Sequence, residues 1–100
     1  FEAEQMLKFL QDIKGPLIVV GDFNDEPSGT AYKLMLTGFE DAWLHGGEKE
    51  VGLSYPADNP TKRIDYIFTR RTDRVPAKKA WVVNTLASDH IPVVAELEIR

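Results

Sequence analysis

The sequence predicts an α/β fold in which one mixed β-sheet layer carries helices on one face. Two observations predict this class. Residues 2–36 alternate between helical and strand patterns, and three further strand candidates fall within residues 63–99. Hydrophobic residues make up 43% of the 100-residue chain, which is enough for a single small domain with one core.

The chain opens with an amphipathic helix, predicted over residues 2–14. Apolar side chains recur there at intervals of three and four, which places them on one helix face: Ala3, Met6, Leu7, Leu10 and Ile13. Gly15 and Pro16 then form a stop signal. We expect this helix to pack against the sheet.

The first strand is predicted at residues 17–20, "LIVV", where three of the four residues are β-branched. A continuous apolar run of this length is typical of a central strand that is covered on both faces. A turn follows at residues 27–29, with Ser28 as the candidate N-cap of a second helix. That helix is expected to end near Leu36, before Gly38.

The middle of the chain has weaker patterns. The segment "GFEDAW" at residues 38–43 is expected to be a short extended piece with a bend, and Trp43 is expected in the core. Residues 45–62 contain "HGG", "YP" and "DNP", which break regular structure and predict a loop. His45 in this loop is interpreted as a solvated residue, with substrate contact as the alternative.

The last third of the chain contains three strand candidates: residues 63–70, 78–84 and 91–99. In the first, "RIDYIFTR", Tyr66 and Phe68 fall on one face while Asp65 and Ile67 fall on the other. The last, "IPVVAELEI", alternates apolar with mostly polar residues and is typical of a half-buried strand.

Composition excludes several classes of function. The chain has no cysteine, so disulfides, thiolate zinc sites and cysteine nucleophiles are excluded within it. Its net charge of -4 disfavours a broad surface that tracks nucleic-acid phosphates. A basic cluster near a predicted hairpin leaves two interpretations open, an anion-binding patch or a solvated hairpin; it comprises Arg70, Arg71, Arg74, Lys78 and Lys79.

Three polar clusters lie within the predicted strands or at their ends. Asp22 and Asn24 follow the first strand, Asp65 lies inside the "RIDYIF" strand, and Asp89 and His90 precede the last strand. Together they suit metal-assisted phosphoryl chemistry. Such chemistry needs carboxylates for a hard cation, a carboxylate to orient and deprotonate water, donors for the phosphate oxygens, and a carboxylate behind a histidine.

Each cluster also has a structural interpretation. Asp and Asn after a strand commonly form turns, because their side chains bond nearby backbone groups. The segment "SDH" could be an ordinary loop. A buried aspartate needs a partner, and Asp65 could pair with Arg63 for purely structural reasons.

The three motifs "GDFN", "RIDYIF" and "SDHIPV", in this order, resemble the endonuclease/exonuclease/phosphatase superfamily of metal-dependent phosphoesterases. The resemblance spans residues 21–93. It implies a four-layer α/β sandwich in which two sheets face each other, with this chain as one half. It also implies hydrolase activity towards phosphoesters, as in phosphodiesterases, phosphatases and nucleases.

The resemblance implies a role for each polar residue. Asp22 resembles the residue that activates the attacking water, and Asn24 resembles the carboxamide that positions it and touches the phosphate. His90 resembles the histidine that donates to a phosphate oxygen, and Asp65 resembles its carboxylate partner. Asp89 resembles a metal-proximal carboxylate. In the loop before "RIDYIF", Tyr55 is expected to contact the substrate, with a structural role as the alternative.

The family's upstream half has no counterpart in this sequence. That half supplies an Asn, a metal-binding Glu and a further His motif, so we expect residues 1–100 to be the C-terminal half of a longer protein, called the parent below. The chain alone is expected to be inactive, to bind Mg²⁺ or Mn²⁺ poorly, and to expose the apolar inner face of its sheet. That face should pair with the missing half or drive self-association.

The function expected from the sequence is therefore metal-dependent phosphoester hydrolysis by the parent. Two alternatives remain: a non-catalytic binding or scaffolding module that retains the fold, and a DNA-repair type of endonuclease. The substrate is left open among small molecules, lipid head groups and nucleic acid, with the acidic charge favouring the first two. Both an exported and a cytoplasmic location are compatible with the sequence.

Overall fold

The computed structural model describes residues 3–47, 52–83 and 85–99. Its elements in chain order are α1 (Ala3–Leu10), β1 (Ile18–Asp22), α2 (Thr30–Met35), β2 (Phe39–Asp41), α3 (Ala42–Gly46), β3 (Asp65–Arg70), a short 3₁₀ helix (Arg71–Asp73), β4 (Ala77–Val82) and β5 (Val93–Leu97). The predictions for residues 2, 48–51 and 84 lie outside the described residues. Within the described parts of the chain, no helix combines the length and the apolarity that a membrane span requires.

The α/β class predicted from the sequence is confirmed, but the expectation of one mixed sheet is wrong. The described strands form a three-stranded sheet in the order β1-β3-β2 and a two-stranded sheet of β4 and β5. Each strand pair within these sheets is antiparallel. The local pattern of a strand does not specify its partner or its direction, which are set by long-range packing.

The first strand also differs from its prediction. β1 lies at an edge of the three-stranded sheet rather than at its centre, and it extends to Asp22. Val19 faces the core, whereas Ile18 and Val20 on the opposite face are 37% and 64% exposed. The continuous apolar run therefore gives one buried face and one open apolar face, because side chains alternate along a strand.

The core lies between one face of the three-stranded sheet and the helices α1 and α2. Its buried members are Phe23, Tyr32, Met35, Phe39, Tyr66 and Phe68. Aromatic rings dominate it, and Phe23 meets Phe68 edge to face with ring centroids 5.0 Å apart. The predicted faces of the "RIDYIF" strand are confirmed here, since Tyr66 and Phe68 are almost fully buried.

The first helix is shorter than the sequence predicts. α1 ends at Leu10, and Ile13, which was expected on its buried face, is 37% exposed. After Leu10 the chain tightens, because the N–H of Ile13 donates to the carbonyl of Leu10 at 3.1 Å, three residues back. The guanidinium of Arg70 donates hydrogen bonds to the backbone carbonyls of Ile13 and Gly15 beyond the helix. Gly15 has a φ of 85°, which favours glycine and turns the chain towards β1.

The expected N-cap of the second helix is wrong. The cap position of α2 is Gly29, not Ser28, and Gly29 has no side chain to accept a bond. The carboxylate of Asp25 instead accepts the N–H of Tyr32 at 3.0 Å. A longer side chain from the preceding loop thus satisfies a donor in the first turn of the helix.

A buried ion pair lies beside the core. The guanidinium of Arg63 and the carboxylate of Asp41 are bonded to each other, and the two side chains are only 5% and 1% exposed. The same carboxylate accepts the hydroxyl of Tyr32 at 2.7 Å and the N–H of Trp43 at 3.0 Å. Burial, together with this bond to Asp41, raises the pKa of Tyr32. The network joins β2, α2, α3 and the segment just before β3.

Candidate active site

The pairing of β1 with β3 brings two acidic residues together. In this antiparallel ladder Asp22 lies opposite Asp65, each at the end of its strand. Residues opposite each other share a face of the sheet, so both carboxylates lie on the face of Val20 and Ile67. Gly21 has a φ of 150°, which side chains rarely adopt, and its freedom lets the strand present Asp22 at the rim.

His90 completes the cluster from the loop that precedes β5. Its Nδ1 lies 2.8 Å from Oδ2 of Asp65, and its Nε2 lies 3.6 Å from Oδ2 of Asp22. An ionised carboxylate only accepts hydrogen bonds, so Nδ1–H is the donor to Asp65. One ligand atom from each of the three residues lies within 4.8 Å of the others. The structure therefore brings together three residues that are 25 or more positions apart.

The electrostatics of this cluster favour the charged form of the histidine. The hydrogen bond to Asp65 raises the pKa of His90, and the negative charges of Asp65, Asp22 and Asp89 act in the same direction, while partial burial opposes them. The side chain of His90 is 27% exposed, so it remains open to solvent and to a ligand. Near neutral pH the site therefore holds more imidazolium than a free histidine would.

Asn24 lies next to Asp22 but its side chain has no bond to the cluster among the contacts described. Its backbone N–H donates to Oδ1 of Asp22 at 2.7 Å, and its φ of 49° lies in the left-handed region. This is the aspartate turn that the structural interpretation of "GDFND" predicted. The turn and the candidate site coexist, because the turn uses Oδ1 and leaves Oδ2 facing His90.

Asp89, the predicted metal ligand, is exposed and is not a member of the cluster of three. Its carbonyl oxygen accepts the N–H of Ala57 at 2.7 Å. The preceding Ser88 accepts the N–H of His90 on its hydroxyl at 3.2 Å. The predicted metal role of Asp89 stays a prediction.

Tyr55 contacts the site through its ring. The centroids of the Tyr55 and His90 rings are 4.6 Å apart, with an angle of 44° between the planes. The residue is half-buried. Its expected contact with substrate also stays a prediction.

A cavity of about 410 Å³ opens beside the cluster. Asp22, Asp65, Ser88 and His90 line its polar side. The remaining wall is apolar and comes from the open face of β1 and β3 and from the start of β5; it includes Val20, Ile67, Ile91, Pro92 and Val93. The two carboxylates and the imidazole thus lie at the edge of an apolar surface, called the apolar floor below.

Two structural roles that the sequence suggested, for Arg63 and for His45, differ from those in the structure. Arg63 is bonded to Asp41, so pairing with Arg63 is not the reason for an aspartate at position 65. The predicted loop starts too early, since His45 belongs to α3, where its Nε2 lies 3.5 Å from Glu40.

The basic cluster is largely engaged in contacts within the chain. Arg70 bonds Asp73, Lys78 lies 4.0 Å from Glu98, and the ammonium of Lys79 lies over the ring of Trp81. These contacts favour the solvated interpretation over an anion-binding patch. The surrounding segment is not a hairpin, because β3 and β4 belong to different sheets.

Sequence reasoning missed two residues that support the site. Ser88 accepts the His90 N–H, a pattern that the order Ser-Asp-His could have indicated, because serine side chains bond the backbone two residues on. Ser54 is fully buried and its carbonyl accepts the N–H of Ile91 at 2.7 Å. No local signal identifies Ser54, because its partner is 37 positions away in sequence.

Comparisons with known proteins concern the sequence and the fold of this chain. The sequence profile of the Endonuclease/Exonuclease/phosphatase family matches residues 7–90. A search of curated proteins finds no match.

Several solved structures have a similar fold. An endonuclease/exonuclease/phosphatase from Bacteroides vulgatus has a TM-score of 0.83 at 24% identity over 98% of this chain and 42% of its own. A family protein from Leptotrichia buccalis has a TM-score of 0.76 at 25% identity over 97% of this chain and 41% of its own. A mannosyl-6-phosphatase from Bacteroides thetaiotaomicron has a TM-score of 0.73 at 23% identity over 94% of this chain and 42% of its own. The chain thus spans about two fifths of the length of these structures.

Proposed function

This chain belongs to the endonuclease/exonuclease/phosphatase family, and on that premise we propose that it supplies half of the active site of a metal-dependent phosphoester hydrolase. The observation that carries the proposal is the convergence of Asp22, Asp65 and His90 at one rim of the three-stranded sheet. A turn, a strand and a loop each have ordinary structural uses. Phosphoryl transfer requires a general base and a charged donor beside one cavity, and these three side chains meet at such a cavity.

Asp22 acts as the general base in this proposal. Its side chain is 45% exposed, so water reaches it, and the Asn24 N–H fixes one of its oxygens. The other oxygen, which lies 3.6 Å from Nε2 of His90, would orient a water molecule and accept its proton as the water attacks phosphorus. In this proposal the amide side chain of Asn24, which follows Asp22 in the turn, touches a phosphate oxygen.

His90 acts as the donor to the phosphate. Asp65 occupies Nδ1, which fixes the tautomer and stabilises the imidazolium. Nε2–H is then the group that meets the substrate. Because charge builds on the non-bridging oxygens in the transition state, a charged donor at this position is worth more there than in the ground state.

Members of the family generally depend on a divalent metal ion. The donor chemistry here fits a hard cation, which prefers carboxylate oxygens and retains several waters. Asp89, next to His90 in sequence, is an exposed carboxylate, and we assign it to hold Mg²⁺ or Mn²⁺ together with ligands from the missing half. The Asp65 oxygen that accepts the histidine N–H is already used. When bound, the ion would neutralise charge on the phosphate.

Because the chain spans about two fifths of the structures that it matches, we propose that activity resides in a longer parent whose other half completes the metal site. The open face of β1 and β3 is where that half would pack, since Val20 is 64% exposed and unpaired apolar sheet faces seek a cover. Self-association through the same face is expected of the chain when it is expressed alone.

The preferred substrate class is a small phosphoester such as a sugar phosphate. A net charge of -4 disfavours a nucleic-acid backbone, and the basic side chains on β3 and β4 are engaged within the chain. The structural neighbour from Bacteroides thetaiotaomicron acts as a mannosyl-6-phosphatase, which makes hexose 6-phosphates the first substrates to test.

The test is hydrolysis by the parent protein with Mg²⁺, using a hexose 6-phosphate, bis(p-nitrophenyl) phosphate and a duplex with an abasic site as three substrate classes. Asp22→Ala is expected to lower kcat at least 10²–10³-fold, as for removal of a positioned catalytic group. Asp12→Ala, an exposed aspartate after α1, is the matched control. Equal rates for the two variants would refute the role of Asp22, and cleavage of only the abasic duplex would favour the endonuclease alternative.

A further inference from the structure

The loop before β3 holds the backbone of the histidine segment from both sides. The carbonyl of Ser54 accepts the N–H of Ile91 at 2.7 Å, and the N–H of Ala57 donates to the carbonyl of Asp89 at 2.7 Å. These bonds lie immediately before and after His90. The loop therefore limits both the position and the direction of the backbone from which the imidazole projects.

The ring of Tyr55 acts on the imidazole itself. With centroids 4.6 Å apart, the two rings are in contact at a tilt of 44°. Asp65 binds Nδ1 at the edge of the imidazole. A ring contact combined with an edge bond leaves the imidazole little freedom to rotate about its χ2 angle, a torsion that is otherwise broad for histidine.

Tyr55 is in turn fixed relative to the strand that carries Asp65. Its N–H donates to the carbonyl of Lys62 at 3.1 Å, and the N–H of Lys62 donates back to the carbonyl of Tyr55 at 2.9 Å. Three residues later the chain enters β3 at Asp65. The contacts run from Asp65 to His90, to Tyr55, to Lys62 and back to Asp65, so they form a closed circuit.

From this circuit we infer that residues 54–57 form a clamp, and that Tyr55 is a positioning residue that holds the His90 imidazole against Asp65 with Nε2 directed to the site. The catalytic consequence rests on the proposed function, whereas the orientation of the ring does not. The proposal extends the expectation that Tyr55 touches substrate, because it assigns the aromatic ring a task in the absence of any ligand.

The fixed orientation of the imidazole matters for catalysis because a hydrogen-bond donor is most effective when it is oriented before the reaction begins. A donor that must be ordered during the reaction loses much of its advantage, and a displacement of about 1 Å can cost roughly 10²-fold in rate. An imidazole that could turn by 180° about χ2 would break the Nδ1 bond to Asp65 and put the carbon Cε1 where Nε2 now lies. The clamp removes that alternative.

The experiment compares Tyr55→Leu with Tyr55→Phe in the parent protein, with no metal or substrate added. Long-range ¹H–¹⁵N spectra report the tautomer of His90 in its neutral form, and His90→Gln assigns the signals. Tyr55→Phe retains the ring and is expected to keep a single Nδ1–H tautomer. Tyr55→Leu loses the ring and is expected to shift both nitrogen signals towards the average of the two tautomers. Tyr55→Met, which is flexible and similar in volume, replaces Tyr55→Leu if that variant does not fold.

Turnover provides the second readout. The kcat of Tyr55→Leu should fall about 10- to 100-fold below that of Tyr55→Phe, with a smaller change in KM, because the ring orients a transition-state donor. Unchanged nitrogen signals in Tyr55→Leu would overturn the clamp, as would an equal loss in both variants through KM alone, which indicates substrate contact by the hydroxyl. If no variant, wild type included, hydrolyses any phosphoester, the proposed function fails while the nitrogen signals still test the clamp.

Discussion

The buried pair of Arg63 and Asp41 gives the sharpest prediction for stability. Both side chains are at least 95% removed from solvent, so replacing one partner leaves the other as a buried, uncompensated charge. In Arg63→Met the Asp41 carboxylate would keep, among its bonds to described residues, the hydroxyl of Tyr32 and the N–H of Trp43. Breaking a buried pair in this way costs about 3–5 kcal/mol. That is a large part of the roughly 5–15 kcal/mol by which a domain is stable.

Urea unfolding measures this cost directly. With a slope of roughly 1–2 kcal/mol per molar urea for a chain of this size, a cost of about 3–5 kcal/mol should lower the midpoint of Arg63→Met by roughly 1.5–5 M. The double variant Arg63→Met, Asp41→Asn should recover roughly 1–2 kcal/mol, because an amide tolerates burial without a cation. Lys78→Met breaks an exposed contact of 4.0 Å to Glu98 and should cost under about 0.5 kcal/mol.

The comparison of the single and double variants has an outcome that would refute this reasoning. If Arg63→Met cost no more than Lys78→Met, or if the losses from Arg63→Met and Asp41→Asn simply added, the two buried charges would not depend on each other. The network would then not be what fixes the chain at Arg63, two residues before β3 begins at Asp65. A strong coupling would link the stability of the core to the placement of the site.

Two further predictions concern pH. Partial burial opposes the shift, but hydrogen bonds from Arg70 and from the backbone N–H of Leu17 lower the pKa of Asp73. The contribution of this carboxylate to stability is therefore present above its unfolded pKa and is lost as pH falls through the folded value. Asp73→Asn should cost about 1–2 kcal/mol at pH 7 and progressively less as pH falls below the unfolded pKa, with exposed Asp12→Asn as control. Acid titration of unfolding checks this, and a cost that does not depend on pH would contradict it. Asp65→Asn removes the main cause of the raised His90 pKa, so the fall of kcat at alkaline pH should begin at lower pH, with the plateau lowered about 10²–10³-fold. An unmoved alkaline limb in the pH–rate profile would show that His90 is not the acid that the rate depends on.

Local patterns predict the elements of this chain better than they predict its tertiary neighbours. The alternation in "RIDYIF" correctly separates the core face of Tyr66 and Phe68 from the face of Asp65, because side-chain direction in a strand is a local property. The burial of β1 is not local. An apolar run has the same sequence pattern whether one face or both faces of the strand are covered. Val20 is exposed because of the position of β1 at the sheet edge and the packing around it, which the run itself does not specify.

The same limit applies to polar partners. A carboxylate in a sequence gives no indication of which distant group will bond it. Asp41 and Arg63 are separated by 22 positions, and the nearer Asp65 was the partner that the sequence suggested. Asp25, and not Ser28, accepts the N–H in the first turn of α2, because its longer side chain extends from the preceding loop to the helix.

The candidate site was accessible from sequence only through motifs. The spacing of Asp22, Asp65 and His90 carries no geometric signal, since strand pairing across 42 intervening residues brings the two carboxylates together. The resemblance to a family supplied the grouping, and the structure supplied its distances. The clamp around His90 came from the structure alone, because backbone hydrogen bonds from a loop leave no mark in composition or periodicity.

The position of the site on the sheet connects its chemistry with the open apolar face. Because side chains alternate along β1, the register that presents Asp22 at the rim also directs Val20 to the same side, and Ile67 accompanies Asp65 on β3 in the same way. A lone sheet layer would leave both the carboxylates and the apolar floor in water, where charge interactions are weak. A second layer over Val20 would bury that floor and lower the dielectric around His90 at once. In the proposed parent, packing of the two halves and catalysis therefore depend on one face of one sheet.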